Sequence, residues 1–338
     1  MATLLDVIRV HGDGCHNAFT DLLRWRGHYY LCFRVSENHG IEPPGEIVVL
    51  RSKDTRAWEE CGRLRTGGDD RDPKLVDMGE RLAVTFGTWY KRWADRSLAN
   101  EPYDLISHVC FAREGSEAAS GLRWSAPRQM WSPNYWLWRI FKDGDSYLCP
   151  AYHFPKRTGA RASRTVHLLR STDLLDWQFV TVMRQGFDGG EPALFRPAPD
   201  TLRCVLRAVE PDNHSWLGES RAPYTDWRWQ DLGVMIHAPV VLQVGERWIV
   251  AGRSQPQDLP EGTVPPDSGH HTSVWALDDD GGIEHLLTVP SAGDCSYCGL
   301  AYGLEGEVLM SYYSQHERLP LPQGQPTPDD IFLARLRV

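Results

Sequence analysis

Polar side chains that could bind or react with a ligand recur just before short apolar segments of this sequence. They are His16-Asn17, Arg71-Asp72, Asn134 to Arg139, Glu191, His237 and Asp294 to Tyr297. Three other apolar segments end in Arg34, Arg207 and Arg253. An unpaired arginine is costly to bury, so three converging guanidiniums predict an anionic or heavily hydroxylated ligand. The alternative is that each arginine pairs with a carboxylate and joins neighbouring elements.

These residues flank strand pairs that recur six times along the chain. In the last pair, Cys298 to Tyr302 is apolar, Gly303 to Gly306 is a turn, and Val308 to Tyr313 is rich in β-formers. The first strands of the other pairs are Ala18 to Trp25, Lys74 to Val76, Trp136 to Phe141, Pro192 to Arg196 and Pro239 to Val244. Their second strands are Tyr29 to Arg34, Arg81 to Gly87, Tyr147 to Tyr152, Leu202 to Arg207 and Arg247 to Arg253. A repeated scaffold with varying polar entrances is typical of a site assembled from many segments.

A second pattern, S-x-D-x-x-x-W, follows two of the strands. Its clean copies are Ser52 to Trp58, after Ile47 to Leu50, and Ser171 to Trp177, after Val166 to Leu169. Degenerate copies are Ser220 with Trp227 and Trp229, and Trp124 after Val109 to Ala112. We expect the Ser and Asp side chains to accept hydrogen bonds from turn amides, and the Trp to pack between neighbouring sheets.

Six units of about 45 to 60 residues, with four strands each, predict one all-β domain over residues 1–338, a six-bladed β-propeller. Thr3 to Val10 is expected to complete the last blade beside Ile331 to Val338, which removes a free edge. The alternative is a five-bladed propeller. The Pro-rich stretches Leu259 to Pro266 and Leu319 to Pro328 are predicted to be loops.

The composition narrows the classes of partner. A net charge of −9 without a basic cluster argues against nucleic acid. No apolar run approaches the roughly 18 residues of a membrane helix, and the N-terminus lacks a signal-peptide pattern, so we expect a cytoplasmic protein. Four cysteines in apolar runs are expected in the core: Cys32, Cys110, Cys149 and Cys204. Cys295 and Cys298 form a lone C-x-x-C without a second pair, which argues against a metal or redox site. No cofactor is expected, and the oligomeric state is not indicated.

Several of these segments resemble sialidases and related propellers. The S-x-D-x-x-x-W tails resemble the Asp box, without its usual glycine. Tyr297 to Leu300 with Leu309 to Tyr313 resembles the segment that carries the tyrosine nucleophile. Glu191 to Leu194 with Cys204 to Arg207 resembles the segment with the catalytic glutamate and an arginine for the substrate carboxylate. Phe33 to His39, before the Glu46 to Leu50 strand, resembles the segment with the general acid.

The chain is also similar to bacterial proteins labelled sialidase-like. The strings that they share with it stand here at His16 to Asp21, Arg71 to Leu75, Trp136 to Arg139 and Ser311 to Glu317.

The resemblance implies a retaining exo-glycoside hydrolase that cleaves a terminal sugar, an acidic one included. A neutral tyrosine is a poor nucleophile until a base draws its proton, so Glu191 would activate Tyr297, as in the tyrosine-dependent sialidases. Asp72 or Glu37 would protonate the leaving oxygen. The alternatives are that Tyr297 packs at a blade entrance, that Asp72 caps a turn, and that Glu37 is a solvated loop charge.

A wider set of residues is expected to contact the substrate. Its members are Arg34, Arg207, Arg253, His16, Asn17, Asp21, His39, Arg71, Trp138, Arg139, His237, Asp294 and His316. Trp136, Trp138, Trp89 and Tyr90 could form a stacking wall for sugars. Alternation along a strand also allows Trp136 and Trp138 to be inter-blade core.

Two departures from the sialidase pattern bear on the substrate. The first-blade string F/Y-R-I-P is replaced by His16-Asn17-Ala18, and the usual acid Asp is absent, with Glu37 or His39 near its place. The resemblance therefore supports the propeller fold and the Tyr297–Glu191 pair more strongly than it supports the sialidase substrate. Two other hypotheses remain: a carboxylate-pair glycosidase using Asp72 and Glu191, and a carbohydrate-binding propeller without turnover.

Overall fold

The structure, a computed structural model, describes residues 2–91, 103–114, 122–154, 163–320 and 328–338. These residues form 26 strands in six sheets and a single 3-10 turn at Pro256–Asp258. The predicted all-β, six-bladed propeller is therefore confirmed, and the five-bladed alternative is wrong. Within the described residues, no helix has the length and apolar character needed to span a membrane.

Blades one to three follow the N-terminal strand. The strands are β1 (Thr3–His11), β2 (His16–Trp25), β3 (His28–Ser36), β4 (Glu46–Ser52), β5 (Glu59–Leu64), β6 (Asp69–Asp77), β7 (Leu82–Lys91), β8 (Tyr103–Glu114), β9 (Leu122–Trp124), β10 (Arg128–Gln129), β11 (Tyr135–Leu137), β12 (Phe141–Asp143), β13 (Ser146–His153), β14 (Arg164–Ser171) and β15 (Trp177–Phe187). Blade one is β2–β5, blade two is β6–β10 and blade three is β11–β15.

Blades four to six complete the ring. Their strands are β16 (Gly189–Ala198), β17 (Thr201–Ala208), β18 (Trp216–Arg221), β19 (Arg228–Asp231), β20 (His237–Val244), β21 (Arg247–Ser254), β22 (His271–Leu277), β23 (Ile283–Val289), β24 (Cys295–Tyr302), β25 (Val308–Ser314) and β26 (Asp330–Arg337). Blade four is β16–β19, blade five is β20–β23, and blade six has the order β1-β26-β25-β24. The N-terminal strand thus closes the last blade, as predicted, and pairs antiparallel with β26.

Innermost strands contact one another around the axis, for example β2 with β6 and β24, and β20 with β16 and β24. The predicted first strand of blade three, Trp136 to Phe141, is interrupted. Its parts β11 and β12 both pair with β13, and residues 138–140 leave the ladder. The break turns the Arg139 side chain into the channel, where it bonds Asp21.

The predicted tail hairpins have a common geometry. Thr55, Leu174 and Tyr224 all have positive φ (64°, 68° and 69°). The indole three residues later donates to the carbonyl of each, over 3.2, 3.0 and 3.0 Å. This bond locks the turn that leads into the outermost strand. Trp124 differs, because its indole donates to the Cys61 carbonyl of blade one.

In the two clean tails, the Ser and Asp side chains accept turn amides as expected. Ser52 Oγ accepts Thr55 N–H (2.8 Å), and Ser171 Oγ accepts Leu174 N–H (3.0 Å). The Asp54 and Asp173 carboxylates each accept two further amides.

The core also agrees with two sequence expectations. The four cysteines of the apolar runs are fully buried, and all eight cysteines are free thiols. Trp136 and Trp138 are 5% and 1% exposed and pack beside Tyr152, so they belong to the inter-blade core and not to a sugar-stacking wall. Leu259 to Pro266 contains no strand, whereas most of the predicted loop Leu319 to Pro328 lies outside the described residues.

One local feature positions the site. The innermost strands of five blades carry a β-bulge near their entrance, seen as a shift in strand register. The bulged residues have φ between 49° and 63°: Phe19, Asp72, Glu191, Ala238 and Tyr297. Such values are strained for residues other than glycine, and bulges re-aim side chains next to active sites. Three candidate catalytic residues therefore occupy equivalent positions in three blades.

Candidate active site

Tyr297 and Glu191 meet across the end of the central channel. The Tyr297 hydroxyl donates a 2.8 Å hydrogen bond to Oε1 of Glu191. The backbone N–H of Ala238 donates to Oε2 of Glu191 over 2.9 Å. The contact that activation of Tyr297 by Glu191 requires is therefore present, and the carboxylate is held from both sides.

Arg207 stabilises the ionised form of Glu191 in this pair. Its Nη1 lies 2.5 Å from Glu191 Oε1 and 3.5 Å from the Tyr297 hydroxyl. Burial alone would raise the pKa of Glu191, but Arg207, with His237 and the Tyr297 hydrogen bond, holds that pKa below its usual value. Burial and the charge of Glu191 raise the pKa of Tyr297 well above 10. The ground state is therefore a carboxylate beside a neutral phenol, as a base and a latent nucleophile require.

Two guanidiniums flank Tyr297. Arg253 Cζ lies 5.3 Å from the centre of the Tyr297 ring, and its Nη2 donates to Asp294 and to the Tyr313 hydroxyl, each over 2.9 Å. Arg207 keeps a buried Nε–H for which no partner exists among the described residues. An unsatisfied buried donor on a guanidinium is a group that an anionic ligand can use.

Asp72 is the second carboxyl group of the mouth. Only 6% of it is exposed, and its Oδ1 is buried without a partner among the described residues. Burial raises the pKa of Asp72 to about 6, although Lys74 and Arg71 oppose this shift. Glu191 and Asp72 thus have pKa values displaced in opposite directions, which is how a base and an acid coexist in one site.

Arg34 is not available to a ligand, contrary to prediction. All five of its N–H groups are used: two bond Asp69 (3.0 and 2.6 Å), two bond the carbonyls of Asn38 and Gly40 (3.0 and 2.7 Å), and one faces His16 Nδ1 (3.3 Å). The side chain is fully buried. Of the three arginines, Arg207 and Arg253 adjoin Tyr297, whereas Arg34 fixes the loop after β3.

Asp21 and Arg139 are paired with each other and not presented to a ligand. Arg139 Nη1 donates to Asp21 Oδ1 over 2.7 Å, and its Nη2 donates to the Cys298 carbonyl over 3.1 Å. The other Asp21 oxygen accepts the Leu75 amide. Both side chains therefore lie inside the channel, below the mouth.

Other predicted substrate contacts are also occupied internally. His237 Nε2 lies 2.9 Å from the carbonyls of Ala208 and Asn213, and burial lowers the pKa of His237 to about 3. Asn17 is fully buried and bonds Asp13 and the Asp329 carbonyl.

Three further residues do not join the Tyr297–Glu191 pair. His316 packs against Phe332 in blade six, with the two rings tilted and their centres 4.5 Å apart. Glu37 is exposed and lines a groove of about 440 Å³ whose walls contain none of the other candidate catalytic residues. Trp138 is buried, although its ring centre lies 6.1 Å from that of Tyr297.

The mouth continues to a cluster around Asp294. His39 Nδ1 lies 2.6 Å from Asp294 Oδ2, and His16 Nε2 lies 3.3 Å from the same oxygen. Arg71 holds the loop of His39 by donating to the His39 and Gly40 carbonyls. The hydrogen bonds from His16 and His39, with the charge of Arg253, hold the pKa of Asp294 well below its usual range despite burial. The ionised Asp294 carboxylate therefore binds both histidines and Arg253.

The set of His16, His39 and Asp294 is compact enough for a metal ion, but its hydrogen bonding does not suit one. A guanidinium can only donate, so His16 Nδ1 must accept the N–H of Arg34. His16 Nε2 then carries the proton of the neutral ring and has no lone pair for a metal. Metal-binding histidines show the opposite pattern, with the second ring nitrogen donating to an acceptor.

Sequence reasoning missed the bulge as the common feature of the site. Asp72, Glu191 and Ala238 are each followed by proline, at Pro73, Pro192 and Pro239. Proline within a strand marks an edge or a bulge, and three such steps at first-strand entrances were a usable signal. The Ala238 amide and Lys74 were also missed, since neither side-chain type suggests chemistry by itself.

No protein-family model matches this sequence, and a search of the curated proteins finds no match either. Solved structures do resemble it. A Dyadobacter fermentans protein of unknown function aligns over 100% of this chain and 99% of its own, with a TM-score of 0.77 and 15% identity.

Two enzymes are also similar in structure. Trypanosoma rangeli sialidase in complex with sialic acid aligns over 95% of this chain and 54% of its own, with a TM-score of 0.65 and 13% identity. The chain thus spans about half the length of that sialidase. A GH32 β-fructofuranosidase from Bombyx mori aligns over 95% and 90%, with a TM-score of 0.55 and 13% identity. At these identities the likeness shows a propeller fold that glycoside hydrolases share.

Proposed function

We propose that this protein is a sialidase-like exo-glycoside hydrolase that removes a terminal sugar. The observation that carries the proposal is the 2.8 Å hydrogen bond from the Tyr297 hydroxyl to Glu191, with Arg207 beside both. A buried phenol bonded to an ionised carboxylate is the arrangement needed for nucleophilic attack by tyrosine. The glycoside hydrolases among the structural neighbours support the class of reaction.

The first step forms a bond between Tyr297 and the sugar. The phenol oxygen attacks the anomeric carbon while its proton passes to Glu191 Oε1. The bond from the anomeric carbon to the leaving oxygen breaks, and Asp72 donates its proton to that oxygen. Asp72 suits this role because burial raises its pKa to about 6.

The second step reverses these transfers. Ionised Asp72 takes a proton from water, and that water attacks the anomeric carbon. The bond to Tyr297 breaks, and Glu191 returns the proton to the phenol oxygen. Two displacements at one carbon retain its configuration.

An acidic terminal sugar fits the charges of the mouth. Arg207 and Arg253 flank Tyr297, and Arg207 Nε has no partner among the described residues. A carboxylate on the sugar would accept this N–H, and a guanidinium binds carboxylates in a planar, two-bonded geometry.

A panel of aryl glycosides that includes sialosides and uronides tests the proposal. We expect turnover of at least one acidic member by the wild type and loss of that turnover in Tyr297→Phe. Tyr312→Phe is the matched control, because among the described residues its hydroxyl bonds the Pro290 carbonyl, in the loop between β23 and β24. Saturable binding of glycans without turnover of any member would instead identify a carbohydrate-binding propeller.

A second candidate keeps the reaction class but changes the nucleophile. The opposite pKa shifts of Asp72 and Glu191 also suit a carboxylate pair, with Tyr297 only assisting. In that case Asp72→Asn is inactive while Tyr297→Phe retains near wild-type turnover.

A further inference from the structure

The bulges that present Asp72 and Tyr297 leave backbone carbonyls facing the channel below the mouth. The Tyr297 carbonyl accepts the Thr20 hydroxyl over 2.8 Å, and the Cys298 carbonyl accepts Arg139 Nη2 over 3.1 Å. The carbonyls of Asp72 and Pro73 accept Lys74 Nζ, over 3.3 and 3.1 Å. Both strained segments are therefore held from beneath by side-chain donors.

Lys74 is unusual for a buried cation. Only 3% of it is exposed, and its Nζ forms no hydrogen bond with a carboxylate among the described residues. Besides the two carbonyls, Nζ faces the ring of Trp138, 4.7 Å from its centre. An ammonium group has three donors, so two carbonyls and one aromatic face satisfy it. Its charge is consequently left to act on Asp72 above it.

Arg139 performs the corresponding task under Tyr297. Its pair with Asp21 joins blade three to blade one, and its bond to the Cys298 carbonyl reaches blade six. Asp21 in turn accepts the Leu75 amide of blade two over 2.8 Å. The same ion pair thus connects the bulged strand of Asp72 with that of Tyr297.

We propose that Lys74 and Arg139 are positioning residues, which hold the bulges of Asp72 and Tyr297 so that acid and nucleophile face the same glycosidic bond. This inference rests on the proposed function. Neither residue touches the reacting atoms, since both lie beneath the bulged backbone. A 1 Å misplacement of a reacting group can cost about 100-fold in rate, which is the reason for such a support.

Other charged groups also face the two sites. Asp72 is influenced by Lys74, Arg71, Glu191 and His39. Lys74 in turn is influenced by Arg139, Asp72, Asp21 and Cys32. Among the cations around Asp72, Lys74 has the largest effect on its pKa and favours the ionised carboxylate. Lys74 therefore tunes the acid besides placing it.

The test compares Lys74→Met, Lys74→Arg and Arg139→Met on an aryl glycoside that the wild type hydrolyses. Lys74→Met should lower kcat about 100-fold with little change in KM. The alkaline limb of the pH profile of kcat should also move to higher pH by about one unit in this variant. The Lys74 charge no longer favours the ionised carboxylate, so Asp72 keeps its proton to higher pH. Lys74→Arg retains the charge and should keep the alkaline limb in place. Arg139→Met should lower kcat without moving that limb.

The control is Arg335→Met, which breaks a 2.9 Å ion pair with Glu307 in blade six. Arg335 and Arg139 are similarly exposed, at 16% and 17% of their side chains. Arg335→Met should lower the melting temperature and leave kcat and the pH profile of the folded enzyme unchanged. If Lys74→Met and Arg139→Met behave like this control, the positioning role is wrong.

A crystal structure of Lys74→Met separates this inference from the proposed function. We expect Asp72 to leave the left-handed region, where its φ is 54°, and its carboxyl to shift while the six blades persist. An unchanged Asp72 bulge would overturn the inference even if the enzyme is active. A relaxed bulge would support it even if no glycoside in the panel is hydrolysed.

Discussion

The Tyr297 hydroxyl bonds the Glu191 carboxylate over 2.8 Å although the two residues belong to blades six and four, with blade five between them. Each residue sits at a bulge with positive φ, 49° and 54°. Such backbone strain costs about 1–3 kcal/mol per residue. The contact is therefore maintained by the whole ring of blades, and it is the natural place to test the proposed chemistry.

Tyr297 and Glu191 should act as one unit. Tyr297→Phe and Glu191→Gln should each lower kcat by about 100-fold or more, because either change prevents proton transfer from the phenol. The double variant should be hardly worse than the weaker single variant, since residues that act together are not additive. Steady-state kinetics of the four proteins measure this. Independent, multiplicative losses would show that the two side chains do not share a step.

Asp72 should destabilise the folded protein at neutral and alkaline pH. Its pKa is raised from 3.8 to about 6 by burial, so the folded state binds this proton more tightly than the unfolded chain. The stability gained from this tighter proton binding is present in full below about pH 4 and is lost as pH rises through about 6. Asp72→Asn should therefore be more stable than wild type by up to about 3 kcal/mol above pH 7. The difference should shrink below pH 4.

Asp70 provides the control for this prediction. Burial also raises its pKa to about 6, but its carboxylate accepts bonds from Thr66 and Thr88. Asp70→Asn should lose stability, because an amide cannot accept all of these donors. Denaturant unfolding of both variants from pH 4 to pH 8 gives the comparison. Greater stability of both at pH 8 would show that burial alone governs the effect.

Substitution of Arg34 should affect the stability of the fold, whereas substitution of Arg207 should affect ligand binding. Arg34→Lys loses most of five buried hydrogen bonds and should lower the free energy of unfolding by about 3 kcal/mol or more, without raising KM in the folded fraction. Arg207→Lys keeps a cation near Glu191 but loses the planar fork, so KM for an acidic glycoside should rise about tenfold. Melting curves and KM values test the pair. A raised KM in Arg34→Lys would indicate that Arg34 contacts the substrate, as the sequence predicted.

Divalent metals should neither stabilise nor activate the protein. The Nδ1 atom of His16 accepts Arg34, so Nε2 cannot offer a lone pair beside His39 and Asp294. We expect the melting temperature to be the same with a chelator, with Zn²⁺ and with Mn²⁺, for wild type and for His39→Ala. A metal-dependent rise in melting temperature that His39→Ala abolishes would contradict this view.

Local patterns in the sequence determined the propeller. Strand pairs, turn residues and the S-x-D-x-x-x-W tails depend on residues that are close together in the chain, so local sequence is enough to predict them. They predicted six blades and closure by Thr3 to Val10, which pairs with the last strand as part of β1. They also placed Glu191, Asp72 and Tyr297 at strand entrances, which is where they lie.

The use of each polar side chain was decided only by tertiary structure. Arg34, Arg207 and Arg253 look alike in sequence, because each ends a second strand. Arg34 is fully bonded by carbonyls of its own blade, by His16 and by Asp69 of blade two, whereas the other two meet Tyr297. A guanidinium is satisfied by whatever partners the fold brings within about 3 Å, and partners from distant blades leave no trace in local sequence. The ring of blades therefore decides which charged groups form the site and which hold it together.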